Sequence, residues 1–141
     1  MPEASLLACE WQCLQRDHEQ YETHALWIKL AAISVSVLTF AVVLDRRLGG
    51  ALILVLWLQE AIGRTGQARV GERLLQLEAL LREPIANPAA AMQLHTQWRR
   101  SRGGPATLLK EYAIQAMRPT VAFPYVVLVV LLLATTLLPA G

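Results

Sequence analysis

The chain has 141 residues, of which 55% are hydrophobic and 17% charged, with a net charge of +2 and a mean hydropathy of +0.38. That is the length of one domain, but a composition so apolar excludes an ordinary soluble globule, whose core could not hide it. The apolar residues are also clustered, within 25–62 and 121–140, with charge-rich sequence before and between them, the pattern of membrane spans.

The first 24 residues carry Glu3, Glu10, Asp17, Glu19 and Glu22 against Arg16. They lack the basic start of a cleavable signal, so the first span is expected to stay as an anchor. Leu7, Trp11, Leu14, His18, Tyr21 and Ala25 recur at intervals of four and three, which predicts an amphipathic helix running directly into that span. Such a stripe needs a partner, because an isolated helix of this length is marginal in water.

Ala25 to Leu44 forms the first apolar block, interrupted only by Lys29 near one end, whose stem can carry its ammonium to the headgroups. Ala32 and Ser36 stand at small-xxx-small spacing, which permits close helix approach. LDRRLGG (44–50) follows and reads as a tight polar turn, with Gly49 and Gly50 supplying positive φ angles for the reversal. The second block, Leu48 to Ile62, is only about 22 Å long as a helix and carries Gln59 and Glu60.

After the second block, Val70, Leu74, Leu77 and Leu81 repeat the four-three spacing, thickened by Leu75 and Leu80. The hairpin brings this stripe beside the N-terminal one, so the two helices can extend it as an antiparallel coiled pair. Gly63, Gly66 and Gly71 weaken the helix there and allow a kink. Pro84 ends it, and Asn87-Pro88 opens a further helix that closes at Gly103-Gly104-Pro105. The next helix, 106–118, places Leu108, Leu109, Tyr112, Ala116 and Met117 on or near one face. Val121 to Ala140 then forms the clearest span, with Tyr125 its only ionisable group.

Nine of the thirteen basic residues lie between Arg64 and Arg118. The positive-inside rule puts that segment in the cytoplasm, and crossing parity puts the N-terminus there and the C-terminus on the far side, periplasmic or extracellular. Cys9 and Cys13 then face a reducing compartment and carry no usual zinc spacing.

Glu60 is the most informative ionisable residue, because a carboxylate within a span faces a pore, a partner or a compensating cation. One reading pairs it with Arg64 one turn on. The other makes it, with Ser34 and Ser36, a polar pore lining. Lys29 reads as an interfacial anchor, and Trp98, Arg99, Arg100 and Arg102 as a grip on lipid headgroups. Leu7, Trp11, Leu14, His18, Tyr21, Val70, Leu74, Leu77 and Leu81 are the candidate oligomer or partner interface. No phosphate-binding, zinc-protease or hydrolase motif is present, so neither catalysis nor a cofactor is expected.

From Trp11 through Tyr21, Trp27, LDRRLGG and Trp57 to Leu81, the layout resembles the SLATT family of small bacterial membrane effectors. There a helix with aromatic residues enters a tight two-span hairpin and cytoplasmic helices follow; the third span here is an addition to that pattern. The resemblance implies an effector role at the membrane.

The expected fold is therefore an all-α integral membrane protein of the inner (plasma) membrane with three transmembrane helices. It comprises a cytoplasmic amphipathic helix (1–24), a hairpin (25–62, turn at 45–50), a cytoplasmic helical region (63–118) and a C-terminal span (119–141). The expected function is that of a non-enzymatic oligomer, pore-forming or channel-like; the alternative is a scaffold or accessory subunit of a larger membrane complex. Its expected partners are the lipid bilayer and copies of itself or another membrane protein, not nucleic acid.

Overall fold

A computed structural model describes residues 2–41, 44–82, 92–94, 96 and 103–137, with side chains from Leu6 to Thr135 within them. The described chain is helical: α1 (Pro2–Phe40), α2 (Arg46–Leu81), α3 (Pro105–Ala116) and α4 (Pro119–Leu137). Most of the helix expected after Asn87-Pro88, with Trp98, Arg99, Arg100 and Arg102, lies outside the described residues; within it, Met92 has a left-handed backbone at φ 58°, which no α-helix continues through.

α1 runs unbroken from the amphipathic stretch into the first apolar block, as the stripe predicts. The reversal comes earlier than the sequence suggests. Asp45 is the N-cap of α2, its carboxylate accepting from the backbone N–H of Arg47 at 2.9 Å and of Leu48 at 3.1 Å. An aspartate there satisfies two of the donors a helix start leaves free. Gly49 and Gly50 lie inside α2 with ordinary helical backbone, and no described glycine has positive φ.

Gly49 has a different task. A Cβ on it would overlap the Thr39 hydroxyl, so its missing side chain lets α1 and α2 close on each other just below the turn. Gly66 does the same lower down, where a Cβ would stand 3.1 Å from the Tyr21 hydroxyl. α2 continues unbroken past Gly63, Gly66 and Gly71, so these residues end no helix.

Two cores result. In the lower half, Leu7 and Leu14 of α1 bury against Val70, Leu74 and Leu77 of α2, with Trp11, Tyr21 and Leu80 packed around them. The two leucine stripes are thus each other's partner within one chain. Of the two residues that thicken the second stripe, Leu80 packs on this core and Leu75 is 68% exposed; Leu81, the last stripe position, is 38% exposed, so the buried stripe ends at Leu77. In the upper half the α1 side of the hairpin interface is small, with Ala32, Ser36 and Thr39 all buried. α4 packs there, contributing Tyr125 and Leu132 to a cluster with Ala32 and Ile53.

α4 lies antiparallel to α2: Thr135 accepts from Arg46 at 2.8 Å at one end, and Tyr125 meets Glu60 near the other. α3 turns away from α4 by 72°. It rests on α2 through Gln115, which is buried, and Glu111, whereas Leu109 and Met117 of the expected apolar face are exposed. Among the described residues, one helix, over Leu6–Phe40, is long and apolar enough to cross a membrane; a second counts if α3 and α4 form one bent span.

The Gly49–Thr39 contact is testable by thermal unfolding in detergent. Gly49→Ala is expected to lose about 1–3 kcal/mol through overpacking, and Thr39→Ala in the same chain to recover most of it. Equal losses in single and double variants would refute the contact.

Candidate functional site

The polar centre of the upper half is built from three helices. Glu60 comes from α2 and is fully buried, where an isolated carboxylate would be very costly. Lys29 of α1 places its ammonium 3.2 Å from Glu60 Oε1, and Arg64, one turn on along α2, brings Nε to 3.7 Å. Both approach as ion pairs outside the directional geometry of a hydrogen bond. The directional bond is to the other oxygen: the Tyr125 hydroxyl of α4 donates to Oε2 at 2.7 Å.

Around this carboxylate the neighbouring groups are held in turn. Lys29 also donates to the Thr120 carbonyl at 3.3 Å, which ties α1 to the start of α4. Trp57, one turn before Glu60, stacks on Tyr125 with ring centroids 6.0 Å apart and planes 7° from parallel. Its indole N–H donates to the Ala116 carbonyl at 3.1 Å, fixing the α3–α4 corner.

The pairing of Glu60 with Arg64 is present, with two further partners. Lys29, expected as an interfacial anchor, has its ammonium on Glu60 in this layer, where it offsets the cost of burying an uncompensated carboxylate. The expected lining of Glu60, Ser34 and Ser36 does not assemble. Ser34 is exposed, whereas Ser36 and Glu60 are enclosed, and both serine hydroxyls donate to their own helix, to Leu30 and Ala32 carbonyls at 2.9 and 2.8 Å.

The stripe residues proposed as a partner interface are largely consumed within the chain, since Leu7, Leu14, Val70, Leu74 and Leu77 form the lower core. His18 is half-buried and meets Gln67, whose amide donates to the His18 carbonyl at 3.4 Å. Cys9 and Cys13 are free thiols on the exposed side of α1.

A second buried ion pair escaped the sequence reading. Glu10 and Arg73 are 4% and 5% exposed, and Arg73 Nε and one terminal nitrogen reach the two carboxylate oxygens at 3.0 and 3.3 Å. The backbone N–H of Met92 donates to the same carboxylate at 2.6 Å. The signal was available: each residue directly precedes a stripe position, Trp11 and Leu74, where charges on facing helices meet beside a coiled seam. Tyr125 is legible too, as the one phenol in an otherwise apolar block.

Chemically, both clusters compensate charge and join helices; neither presents an open nucleophile or acid–base pair. Comparison with known proteins finds no matching family model, curated protein or solved structure.

Truncating one partner of a buried pair strands the other. Glu10→Ala and Glu60→Ala are each expected to cost about 3 kcal/mol or more. Tyr125→Phe, which removes one hydrogen bond to a charged group, should cost about 1.5–3 kcal/mol. Denaturant titration of the detergent-solubilised protein measures all three, and a Glu60→Ala loss below that of Tyr125→Phe would contradict the assignment of Glu60 as the hub.

Proposed function

We propose that the protein is a non-enzymatic integral membrane protein of the inner (plasma) membrane, crossed by α1, α2 and α4. The lower α1–α2 pair then forms a cytoplasmic stalk that docks a larger membrane complex. The carrying observation is an apolar girdle at one level on all three helices. Leu26, Trp27, Ile33 and Val37 of α1, Leu54, Val55 and Leu58 of α2, and Phe123, Val130 and Leu133 of α4 are all exposed. An exposed patch of that extent is foreign to a water-facing surface and suits lipid.

The girdle is bounded by polar layers. Arg46 and Thr135 meet at the turn end, and Lys29, Glu60 and Thr120 at the other. Between them α2 and α4 each rise about 21–23 Å at 1.5 Å per residue, short of the roughly 30 Å of hydrocarbon. Trp27 and Ile62 lengthen the girdle on the stalk side, and an indole at that level suits the headgroup boundary.

Interface composition supports the same division. Lipid gives apolar side chains no reason to leave it, so helices packed there associate through small residues. The upper hairpin does so through Ala32, Ser36, Thr39 and Gly49, while the stalk buries leucines, as a water-exposed pair must.

A docking role is favoured over conduction by the enclosure of Glu60 and Ser36, which leaves no polar path among the described residues of the apolar half of a single chain. A pore would require a ring of copies lined by residues other than this pair. The arginine-rich 64–118 segment supports a cytoplasmic stalk.

The native thiols test the topology. Cys9 and Cys13 are exposed on the stalk, so a membrane-impermeant maleimide should label them only after the plasma membrane is permeabilised. Labelling in intact spheroplasts, or a chain that remains in solution after lysis without detergent, would overturn the reading. For the docking role, native-membrane purification should recover the chain with an unrelated subunit; a homo-oligomer that leaks ions by itself in liposomes would favour the pore.

A further inference from the structure

A cleft opens beside the ionic layer, between the lower end of the α3–α4 corner and the α1–α2 pair. Its volume is about 270 Å³, and its polar lining comprises His18, Arg64, Gln67, Gln115, Arg118 and Thr120. That is several times the room one ordered water needs, and below the size of a typical drug-sized pocket.

The charge around it is unbalanced. Glu60, the carboxylate nearest this lining in the ionic network, already receives both Lys29 and Arg64, so two cations share one anion. Glu111 on α3 is taken by Arg69 at 3.0 Å. Among the described residues, Arg118 makes no ion pair and no carboxylate lines the cleft.

The cleft also holds an unanswered polar group. Gln115 is 8% exposed, yet its side-chain oxygen accepts no hydrogen bond among the described residues, and His18 Nδ1 is likewise buried without a partner. The Gln67 amide, by contrast, is fully engaged, accepting from Arg64 at 2.7 Å and donating to His18. α3 leaves Leu109 and Ile114 exposed and turns Gln115 inward, and a buried amide oxygen without a partner is costly unless something meets it.

We infer that this cleft binds a phosphoester, with the Arg64 and Arg118 guanidiniums holding the phosphate and Gln115 meeting a hydroxyl beside it. Guanidinium forks match phosphate oxygens in both charge and geometry. An amide offers an acceptor and a donor, so Gln115 can serve a glycerol-type hydroxyl in either orientation. The cleft lies at the level of Lys29 and Thr120, where the girdle ends, which is where lipid headgroup phosphates stand if the girdle is in a bilayer. Only the lipid source rests on the membrane reading; a water-soluble phosphoester has the same chemistry.

Thermal unfolding of the full chain in neutral detergent tests the site with three probes: phosphatidylglycerol, glycerol 3-phosphate and diacylglycerol. A ligand held by the folded state raises the unfolding midpoint. A rise with phosphatidylglycerol alone assigns the site to a lipid headgroup, and a rise with glycerol 3-phosphate assigns it to a free phosphoester. In either case Arg118→Gln should weaken half-saturation by about tenfold or more, and Gln115→Leu should weaken it while retaining helicity. Arg47→Gln, at the opposite end of the girdle, should leave it unchanged. The site is refuted if neither phosphate probe raises the midpoint, if diacylglycerol does so equally, or if Arg118→Gln and Arg47→Gln behave alike. Because binding is read in micelles, a wrong topology would appear in the thiol labelling and not here.

Discussion

A carboxylate with no exposure among apolar side chains must be compensated from every side, and Glu60 imposes that demand on three helices at once. Lys29 can reach it only if α1 and α2 are antiparallel in one register. Tyr125 can reach it only if α4 folds back along the same groove, which places Trp57 flat against the phenol and its indole on the carbonyl of Ala116. The bend between α3 and α4 is thus anchored from the same centre. Apart from the Arg46 bond to the Thr135 carbonyl, little else described in the upper half is directional: the contacts are methyl groups, hydroxyls turned onto their own helices, and a glycine that admits Thr39.

The Glu60 layer also divides the hairpin into two materials. Above it, toward the turn, small residues line the α1 side of the seam and large apolar residues face outward. Below it, leucines line the seam and charges face outward. One pair of continuous helices therefore carries inverted patterns on its two halves. An inversion of this kind follows if the surrounding medium changes along the helix axis, because burying leucine stabilises only where the alternative is water.

The sequence made the helices, their pairing and the identity of the central carboxylate legible, each for a reason of periodicity or cost. Four-three spacing located both stripes of the stalk, and the expense of an ionisable group in an apolar block singled out Glu60. The turn was misread because glycine suggests a reversal, whereas here Asp45 supplies the cap and Gly49 answers a contact with Thr39 from a helix ten residues away in sequence. Spacing along one helix cannot reveal a contact that exists only once a second helix is docked. The Lys29–Glu60 contact is hidden for the same reason: the long stem of Lys29 reaches several neighbours, and only the position of Glu60 on α2 shows which one it meets. On α3 the leucine and methionine positions suggest a buried face, but Glu111 is held by Arg69 of α2, and Leu109 and Met117 remain outside.

Two long helices joined through small residues and evenly spaced leucines have a further difficulty, since sliding one past the other by a heptad would preserve much of the apolar contact. Buried charges remove that freedom. Glu10 with Arg73 sits in the leucine half and Glu60 with Lys29 in the small-residue half. A shift of one heptad moves a partner by about 10 Å at 1.5 Å per residue, which would strand charges at both places together. Replacing such pairs with apolar residues of similar volume often leaves stability unharmed, so their contribution here is better sought in register than in net stabilisation. A polar group buried at a seam is a known means of fixing alignment in coiled helices. On that account the two ion pairs hold the stripes in phase, and the phase in turn brings Arg64 and Gln67 opposite His18 at the mouth of the cleft.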